Sequence, residues 1–471
     1  MIVHKFGGTS IGSPERIANV ADIIVRHHRS NDDVAQPQTV VVVSAMTKVT
    51  DQLIRSARAA ARGEDTLYRE IKANLLRRHL EAVEQLLTPG PVRLEVGGFV
   101  EDKLNELERF LRSIAMLGEL TARGRDIVAS FGELLSSTIL SAVLRQNGLS
   151  SESVNATQLI VTDDQFGEAG LLYTPTVEKL QTMLVPMISR GVVPIVTGYV
   201  GATENGITTT LGRGGSDFSA AILGAGLGAA EVWIWSDVDG ILTADPNIVP
   251  QARTLVELSY QEAAELAYYG ADVLHPKTIL PVIENNIPLR ILNSFNPEHE
   301  GTLIVNEPRS DRQISPAIIS TSGLSMIAVS VQDGSWSLAL AARILQTLSS
   351  EGLQVLMFSQ SFSEHSLNLI VRSQDQSHCV RVLSNEFGDA CGSEPCQIAV
   401  REQIGTVSVV GLSNGGLNGA VSHAYAALGK GGTQVIAVAQ PATERSVSFC
   451  IPEEQVPDTV RLLHSELGLD D

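Results

Sequence analysis

The chain has 471 residues, with 53 acidic against 34 basic side chains and a formal net charge of −19. That length exceeds one ordinary core and calls for two to four domains. The charge excludes a nucleic-acid backbone or an anionic membrane as the main partner, but not a phosphorylated small molecule, which needs only a local positive site.

The N-terminus offers no apolar signal-peptide core, because Lys5 and a glycine pair stand where one would be. The first predicted element is a short apolar strand in "VHKFGGTSIG" (Val3 to Gly12), which runs into Gly7 and Gly8. Lys5 precedes these glycines, whereas the familiar phosphate loop puts its lysine after them. "TVVVVSA" (Thr39 to Ala45) is a continuous β-branched run, as expected of a strand buried on both faces. Helices are expected over Glu101 to Ala115 and Thr176 to Arg190. "GVVPIVTGY" and "EVWIWSDV" read as two more buried strands. The weakly polar run Ala220 to Trp235 is too short to span a bilayer and reads as a buried helix followed by a strand. Strands alternating with helices imply a parallel or mixed sheet covered on both faces, with ligands outside the carboxyl ends of its strands.

The informative residues lie just after the apolar runs. Lys5, Gly7 and Gly8 follow the first. Ser44, Thr50 and Asp51 follow the second, and "TTTLGRGGSD" and "SDVDGILTADP" follow two others. A glycine pair alone is a turn more often than an anion site. Two such pairs, each beside a cation at a strand end, favour a phosphate site. Arg213 and Asp217 suit a loop and a helix cap, or a carboxylate-gripping fork and an acid that holds a lysine. Glu133, in "SFGELLSS", is placed as first-turn glutamates commonly are, for the helix dipole. Ser44 and Thr50 also suit ordinary turns.

The segments "KFGGTS", "VVVSAMTKVTD", "SFGELLSS", "TTTLGRGGSDFSA", "WSDVDGILTADP" and "GADVLHPKTI" occur in an order and spacing that resemble the aspartate kinases of the amino-acid kinase family. The resemblance implies an α/β protein: an αβα sandwich with a mainly parallel sheet over residues 1–308, then two ACT domains of βαββαβ type. These are expected over 320–398 and 399–471, with part of 309–320 available to the second. It implies ATP-dependent phosphorylation of L-aspartate to 4-phospho-L-aspartate, which opens the route to lysine, threonine and methionine.

By the same resemblance Lys5 reaches the β- and γ-phosphates and Asp217 orients it. Phe6, Gly7, Gly8, Ser236, Asp237, Leu242, Asn247 and Asp272 fall on the ATP side. Ser44, Thr50, Glu133, Arg213 and Ser216 fall on the aspartate side. Magnesium rides on the phosphates, with few or no protein carboxylates as ligands. The chain departs from the family twice: Asp272 stands where a lysine is common, and Asn247 where an arginine is. Both remove positive charge from the nucleotide side, and Lys277 is near enough in sequence to replace part of it. Glutamate, acetylglutamate or a nucleotide as acceptor, and an amino-acid sensor with weak catalysis, are the competing readings.

The last third repeats itself. "LQVLMFSQSFSEHSLNLIV" from Leu353 and "TQVIAVAQPATERSVSFCI" from Thr433 align at an offset of 80 residues, matching Gly352 with Gly432, Gln360 with Gln440 and Ser366 with Ser446. Leu338 to Ser350 and Asn418 to Lys430 read as the equivalent helices. Each unit is a small α/β repeat and resembles an ACT domain, an amino-acid-sensing and dimerising module. The second repeat has Asn418-Gly419 at its helix start, where open amides suit an effector carboxylate. One strong effector site is therefore expected near Gly419 and Gln440, with Gln360 weaker. Lysine or threonine is the expected effector, and a homodimer or homotetramer the expected assembly. The four cysteines, Cys379, Cys391, Cys396 and Cys450, lack zinc spacing and read as structural thiols. A cytoplasmic enzyme is expected, without nucleic-acid or membrane partners and with no second enzyme after Asp471.

Overall fold

The computed structural model describes residues 1–30, 38–269, 276–308, 316–331, 336–361, 363, 365–387, 396–411, 417–441 and 446–470. Its contacts divide the chain into two units. The first comprises Met1–Ile241, Val256–Ala264 and Asp272–Arg309, and the second Leu242–Leu255, Glu265–Ala271 and Ser310–Asp471.

The first unit is built on an eight-stranded sheet. Its spatial order is Ser151–Val154, Val193–Thr197, Thr39–Val43, Ile2–Phe6, Glu231–Ser236, Leu289–Asn293, Thr302–Val305 and Glu257–Ser259. Every neighbouring pair is parallel except Leu289–Asn293 with Thr302–Val305. Thr39–Val43 is buried at all five positions, as its β-branched run requires of a strand covered on both faces. The register aligns the carboxyl ends: Phe6 stands beside Val43 and Trp235, and Val43 beside Thr197. Gly7, Ser44, Ser236 and Gly198 therefore leave the sheet along one edge.

The helices cover both faces and start where local chemistry permits. The expected Glu101 to Ala115 helix is the middle of a longer one, Pro91–Leu117, opened by a proline in its first turn and closed by Gly118 in the left-handed region. The expected Thr176 to Arg190 helix runs Tyr173–Ser189, and Pro175 sits in its first turn, where a missing N–H costs nothing. Ala220 to Trp235 is the end of helix Gly215–Leu227 followed by strand Glu231–Ser236, as expected. One stretch, Ala122–Gln146, is long and apolar enough to cross a membrane by length and composition. It is two helices, Ala122–Ala129 and Phe131–Gln146, and most of it is buried within the protein.

The second unit carries a six-stranded antiparallel sheet ordered Met357–Ser361, Ser366–Arg372, Ala317–Val331, Cys396–Val410, Ser446–Pro452 and Ala437–Ala439. The 80-residue offset survives in three dimensions: strand Ser366–Arg372 corresponds to Ser446–Pro452, and helix Leu338–Ser350 to Leu417–Lys430. Gly352 and Gly432 both turn out of their helices with φ near +70° (70° and 66°). The two central strands serve both repeats. Leu324 to Ser330 pairs with Arg372 to Ser366, whereas Ala317 to Thr321 pairs with Val410 to Thr406 across a register shift. Ala244 and Val249 belong to the core of this unit, with Ile318, Val407, Phe449 and Leu463.

Candidate active site

The edge where the parallel strands end opens into a cavity of about 640 Å³. Nine of the residues singled out in the sequence line it: Lys5, Gly8, Ser44, Thr50, Asp51, Glu133, Arg213, Ser216 and Asp217. Lys5 is the penultimate residue of the first strand and is only 8% exposed. Its Nζ forms an ion pair with Oδ1 of Asp217, in the first turn of helix Gly215–Leu227. The chain reaches that helix through Gly212 and Gly214, with φ of 80° and 70°, a left-handed path that favours glycine.

The first loop is close to the second. A Cβ on Gly8 would stand 3.0 Å from the Ala45 carbonyl oxygen, which leaves no room for a side chain. Thr47 Oγ1 donates to the Gly8 carbonyl at 2.7 Å. Arg78 spans both loops, donating to the carbonyls of Thr47 (2.7 Å) and Gly12 (2.9 Å). Gly7 donates its N–H to the Trp235 carbonyl at 3.3 Å, so its amide extends the sheet ladder. The Phe6 side chain is fully buried and stacked on Trp235, away from solvent.

Glu133 lies in the first turn of helix Phe131–Gln146 and is almost wholly buried. Gly132 lets this helix approach, since a Cβ there would meet the Ala45 Cβ at 2.6 Å. Ser136 Oγ locks the same contact by donating to the Ser44 carbonyl at 2.7 Å. Glu133 Oε2 has no hydrogen-bond partner among the described residues. Burial pushes its carboxyl up to about 8, only partly offset by backbone hydrogen bonds from Glu133 and Ala45. A buried carboxylate with an open oxygen facing a cavity is suited to a ligand cation.

The nucleotide-side residues are arranged differently. Ser236 ends strand Glu231–Ser236, its Oγ donates to Asp237 Oδ1 at 3.4 Å, and its carbonyl accepts from Ser294. Neither Ser236 nor Asp237 lines the cavity. Leu242 and Asn247 belong to the second unit, where Leu242 bridges Thr254 and Asn247 donates its N–H and its Nδ2 to Asp245 Oδ1. Asp272 lies outside the described residues. Lys277 is exposed and pairs with Glu168 at 3.7 Å, and Glu168 itself lines the cavity.

Lys48, Arg58, Arg125 and Tyr199 also line the cavity and were not singled out from the sequence. Lys48 lies inside the quoted "VVVSAMTKVTD" and Tyr199 ends the quoted "GVVPIVTGY", so a charge or an aromatic in a strand-end loop was a usable signal for these two, whereas Arg58 and Arg125 lie outside the quoted motifs. Lys48 and Tyr199 both have positive φ (63° and 69°), which is uncommon outside glycine. In the second unit, Gln360 lies on strand Met357–Ser361 with its Nε2 buried and without a partner. Trp336 Nε1 and Ser366 Oγ, in the same repeat, are also buried without partners. Gln440 is exposed, and Gly419 is the third residue of helix Leu417–Lys430.

A model of the amino acid kinase family matches residues 1–293, and an ACT domain model matches 338–387 and 407–467. Chloroplastic aspartokinase 3 of Arabidopsis thaliana is 31% identical over 98% of this chain and 81% of its own length. The chain belongs to the aspartokinase family. Its solved relatives in that family include E. coli aspartokinase III in complex with aspartate and ADP, with a TM-score of 0.80 at 27% identity over 99% of both chains. The chloroplastic bifunctional aspartokinase/homoserine dehydrogenase 2 of Arabidopsis thaliana is 34% identical over 99% of this chain and 50% of its own length. The chain thus spans about half the length of the bifunctional curated relatives it matches. The expected fold, an aspartokinase α/β domain with ACT domains, is borne out by these matches.

Proposed function

We infer that the chain transfers the γ-phosphoryl group of ATP to the side-chain carboxylate of L-aspartate. The carrying observation is that the Lys5–Asp217 ion pair, Arg213 and the open carboxyl of Glu133 line one cavity at the carboxyl edge of a parallel sheet. Phosphoryl transfer asks mainly for positioning and charge stabilisation, and these groups supply both. A carboxylate oxygen attacks the γ-phosphorus, the bond to the β–γ bridging oxygen breaks, and ADP leaves with the electron pair. The nucleophile is already ionised at neutral pH, so no general base is required.

In this reading Lys5 neutralises charge building on the transferring group, and Asp217 holds its ammonium in place. Gly8 allows the phosphates close to the backbone, whereas the Gly7 N–H is taken by the Trp235 carbonyl and the Phe6 carbonyl by the Ser44 N–H, so these two residues shape the loop beside the phosphates. Arg213 grips a substrate carboxylate as a planar fork, Glu133 meets the α-ammonium, and Ser44, Thr50 and Ser216 offer hydroxyls. Ser236 and Asp237 belong to the nucleotide side. The hydroxyl and carboxylate of Ser236 and Asp237 are hard oxygen donors that fit a magnesium ion carried in on the phosphates. When bound, magnesium would neutralise phosphate charge.

The kinase part is assigned to 1–308 and the two ACT domains to 320–398 and 399–471, with part of 309–320 available to the second. An amino-acid effector, lysine or threonine, is assigned to that pair, with Gln360, Gly419 and Gln440 as contacts. A structure of E. coli aspartokinase III is in complex with lysine and aspartate. The orphaned polar atoms fall in the first repeat and support an effector there, whereas the site at Gly419 rests on the helix start alone. A cytoplasmic homodimer or homotetramer completes the proposal.

The test is ADP release with L-aspartate, with hydroxylamine added to trap the acyl phosphate as a hydroxamate. Aspartate-dependent ADP release with matching hydroxamate is expected. ADP release that glutamate or acetylglutamate supports better than aspartate would overturn the assignment.

A further inference from the structure

Asp126 is an acid that the proposed chemistry does not use, yet it is 1% exposed. It stands on helix Ala122–Ala129, seven residues before Glu133. Its Oδ2 accepts from the backbone N–H of Gly167 (2.8 Å) and of Thr210 (2.9 Å). Its Oδ1 accepts from Thr210 Oγ1 at 2.9 Å. Burial raises its carboxyl above the ordinary aspartate range, and these three bonds pull it back down.

The three donors come from two separate pieces of cavity wall. Gly167 and Glu168 line the cavity directly, and Gly167 has φ of 96°. Thr210 ends strand Thr208–Thr210, and the chain then passes through Gly212 to Arg213. The Tyr199 phenol, also on the wall, hydrogen-bonds the Thr210 side chain. The preceding residue, Arg125, lies across Gly167: a Cβ there would fall 2.1 Å from its guanidinium nitrogen. One buried carboxylate thus ties the strand leading to Arg213, and the Gly167 loop, to the helical segment that leads to Glu133.

We propose that Asp126 is a positioning residue for the amino-acid substrate, which sets the spacing between the acid that meets the ammonium and the guanidinium that grips the carboxylate. The inference rests on the function proposed above. Loss of Asp126 shifts Arg213 relative to Glu133 and leaves Lys5, Gly8 and the nucleotide side in place. A small misplacement at such a site is felt strongly in substrate use.

The experiment compares steady-state kinetics of the wild type with Asp126→Asn, which keeps one oxygen for the Gly167 and Thr210 N–H groups but removes the charge and the acceptor that Thr210 Oγ1 uses. KM for aspartate should rise by about tenfold while KM for ATP stays within about twofold, the size expected for lost hydrogen bonds to a buried charge. A role confined to folding would lower the active fraction, hence kcat, and leave both KM values alone. Thr210→Val removes only the hydroxyl bond and should raise the aspartate KM by about two- to fivefold. It carries the test if Asp126→Asn does not fold. Folded variants with an unchanged aspartate KM, or with both KM values moving together, would overturn the role of Asp126 alone. No aspartate-dependent ADP release by the wild type would overturn the proposed function and this inference with it.

Discussion

The cavity of the first unit and the first repeat of the second both hold buried polar atoms without partners, but of different kinds. In the cavity the open atom belongs to a carboxyl, Glu133, and it shares the space with Lys5, Asp217 and Arg213. In the repeat the open atoms are neutral: the Gln360 amide nitrogen, the Trp336 indole nitrogen and the Ser366 hydroxyl. A desolvated charge interacts strongly with whatever enters, whereas a neutral group contributes hydrogen bonds worth about 1 kcal/mol each. The first arrangement suits rate enhancement, and the second suits recognition of a small effector at moderate affinity.

That contrast orders the expected effects. Lys5→Ala should lower kcat by on the order of a hundredfold or more, the typical loss when a preorganised transition-state charge is removed. Stopped or coupled ADP assays read this directly, and turnover within a few-fold of wild type would remove Lys5 from the chemistry.

Glu133→Gln comes next, because it keeps the shape and deletes the charge. The aspartate KM should rise by about thirtyfold or more, in line with about 2 kcal/mol or more for a buried charged partner. Glu133 also carries a pH signature. Its carboxyl sits at about 8 against an ordinary 4.5, so between those values the folded protein keeps a proton that the unfolded chain releases. Stability should therefore be highest on the acid side of this window and fall as pH rises towards 8. Aspartate reverses the preference, because its ammonium favours the ionised carboxyl, so binding should release a proton and tighten as pH rises. Denaturant melts across the window, and calorimetry in buffers of different ionisation enthalpy, measure both. Identical pH slopes for wild type and Glu133→Gln would break the link.

Arg78 sharpens the boundary between framework and chemistry. Arg78→Ala leaves the Thr47 and Gly12 carbonyls without their donor and should cost about 1–3 kcal/mol of stability, read by denaturation. Because it ties the Gly8 loop to the Ser44 loop, both KM values should rise together by a few-fold, unlike the split expected for Asp126. A variant of unchanged stability would show the two carbonyls to be satisfied by water.

The smallest effects belong to the repeats. Titration of wild type, Gln360→Ala and Gln440→Ala with lysine and with threonine should shift half-inhibition by about two- to tenfold, the value of one or two neutral hydrogen bonds. Gln440 is exposed and Gln360 has a buried open amide, so burial predicts the larger shift for Gln360→Ala. The helix-start glycine at Gly419 predicts the reverse. The titration decides between them, and the absence of any response in wild type would leave the pair as a structural module.

Much of this was legible in the residues. The β-branched runs marked buried strands, and in a parallel sheet that places the following residues at one edge, which is why Lys5 and Ser44 were found together; Arg213 and Asp217 reach the same cavity from strand Thr208–Thr210 of a separate three-stranded sheet. The 80-residue offset disclosed the repeat, because equivalent strands and turns need equivalent patterns. Sequence order was a poorer guide to packing. Leu242–Leu255 begins inside the nucleotide-side motif "WSDVDGILTADP", yet Ala244 and Val249 are buried with Ile318 and Val407 in the second unit. An apolar residue has no local mark that names the core it will join.

The order of the motifs, the alternation of strand and helix, and the duplicated unit follow from local periodicity and turn chemistry, which neighbouring residues dictate. Which charges lose their water, and which of them keep an open partner, follow from approaches between segments far apart in the chain. Glu133 reads as an ordinary first-turn acid until Gly132 lets its helix close on Ala45. Asp126 carries no local mark in the sequence, and its burial follows from Gly167 and Thr210 turning their amides towards it. Desolvation is a property of the surroundings, so the strength of these charges was decided only by tertiary packing.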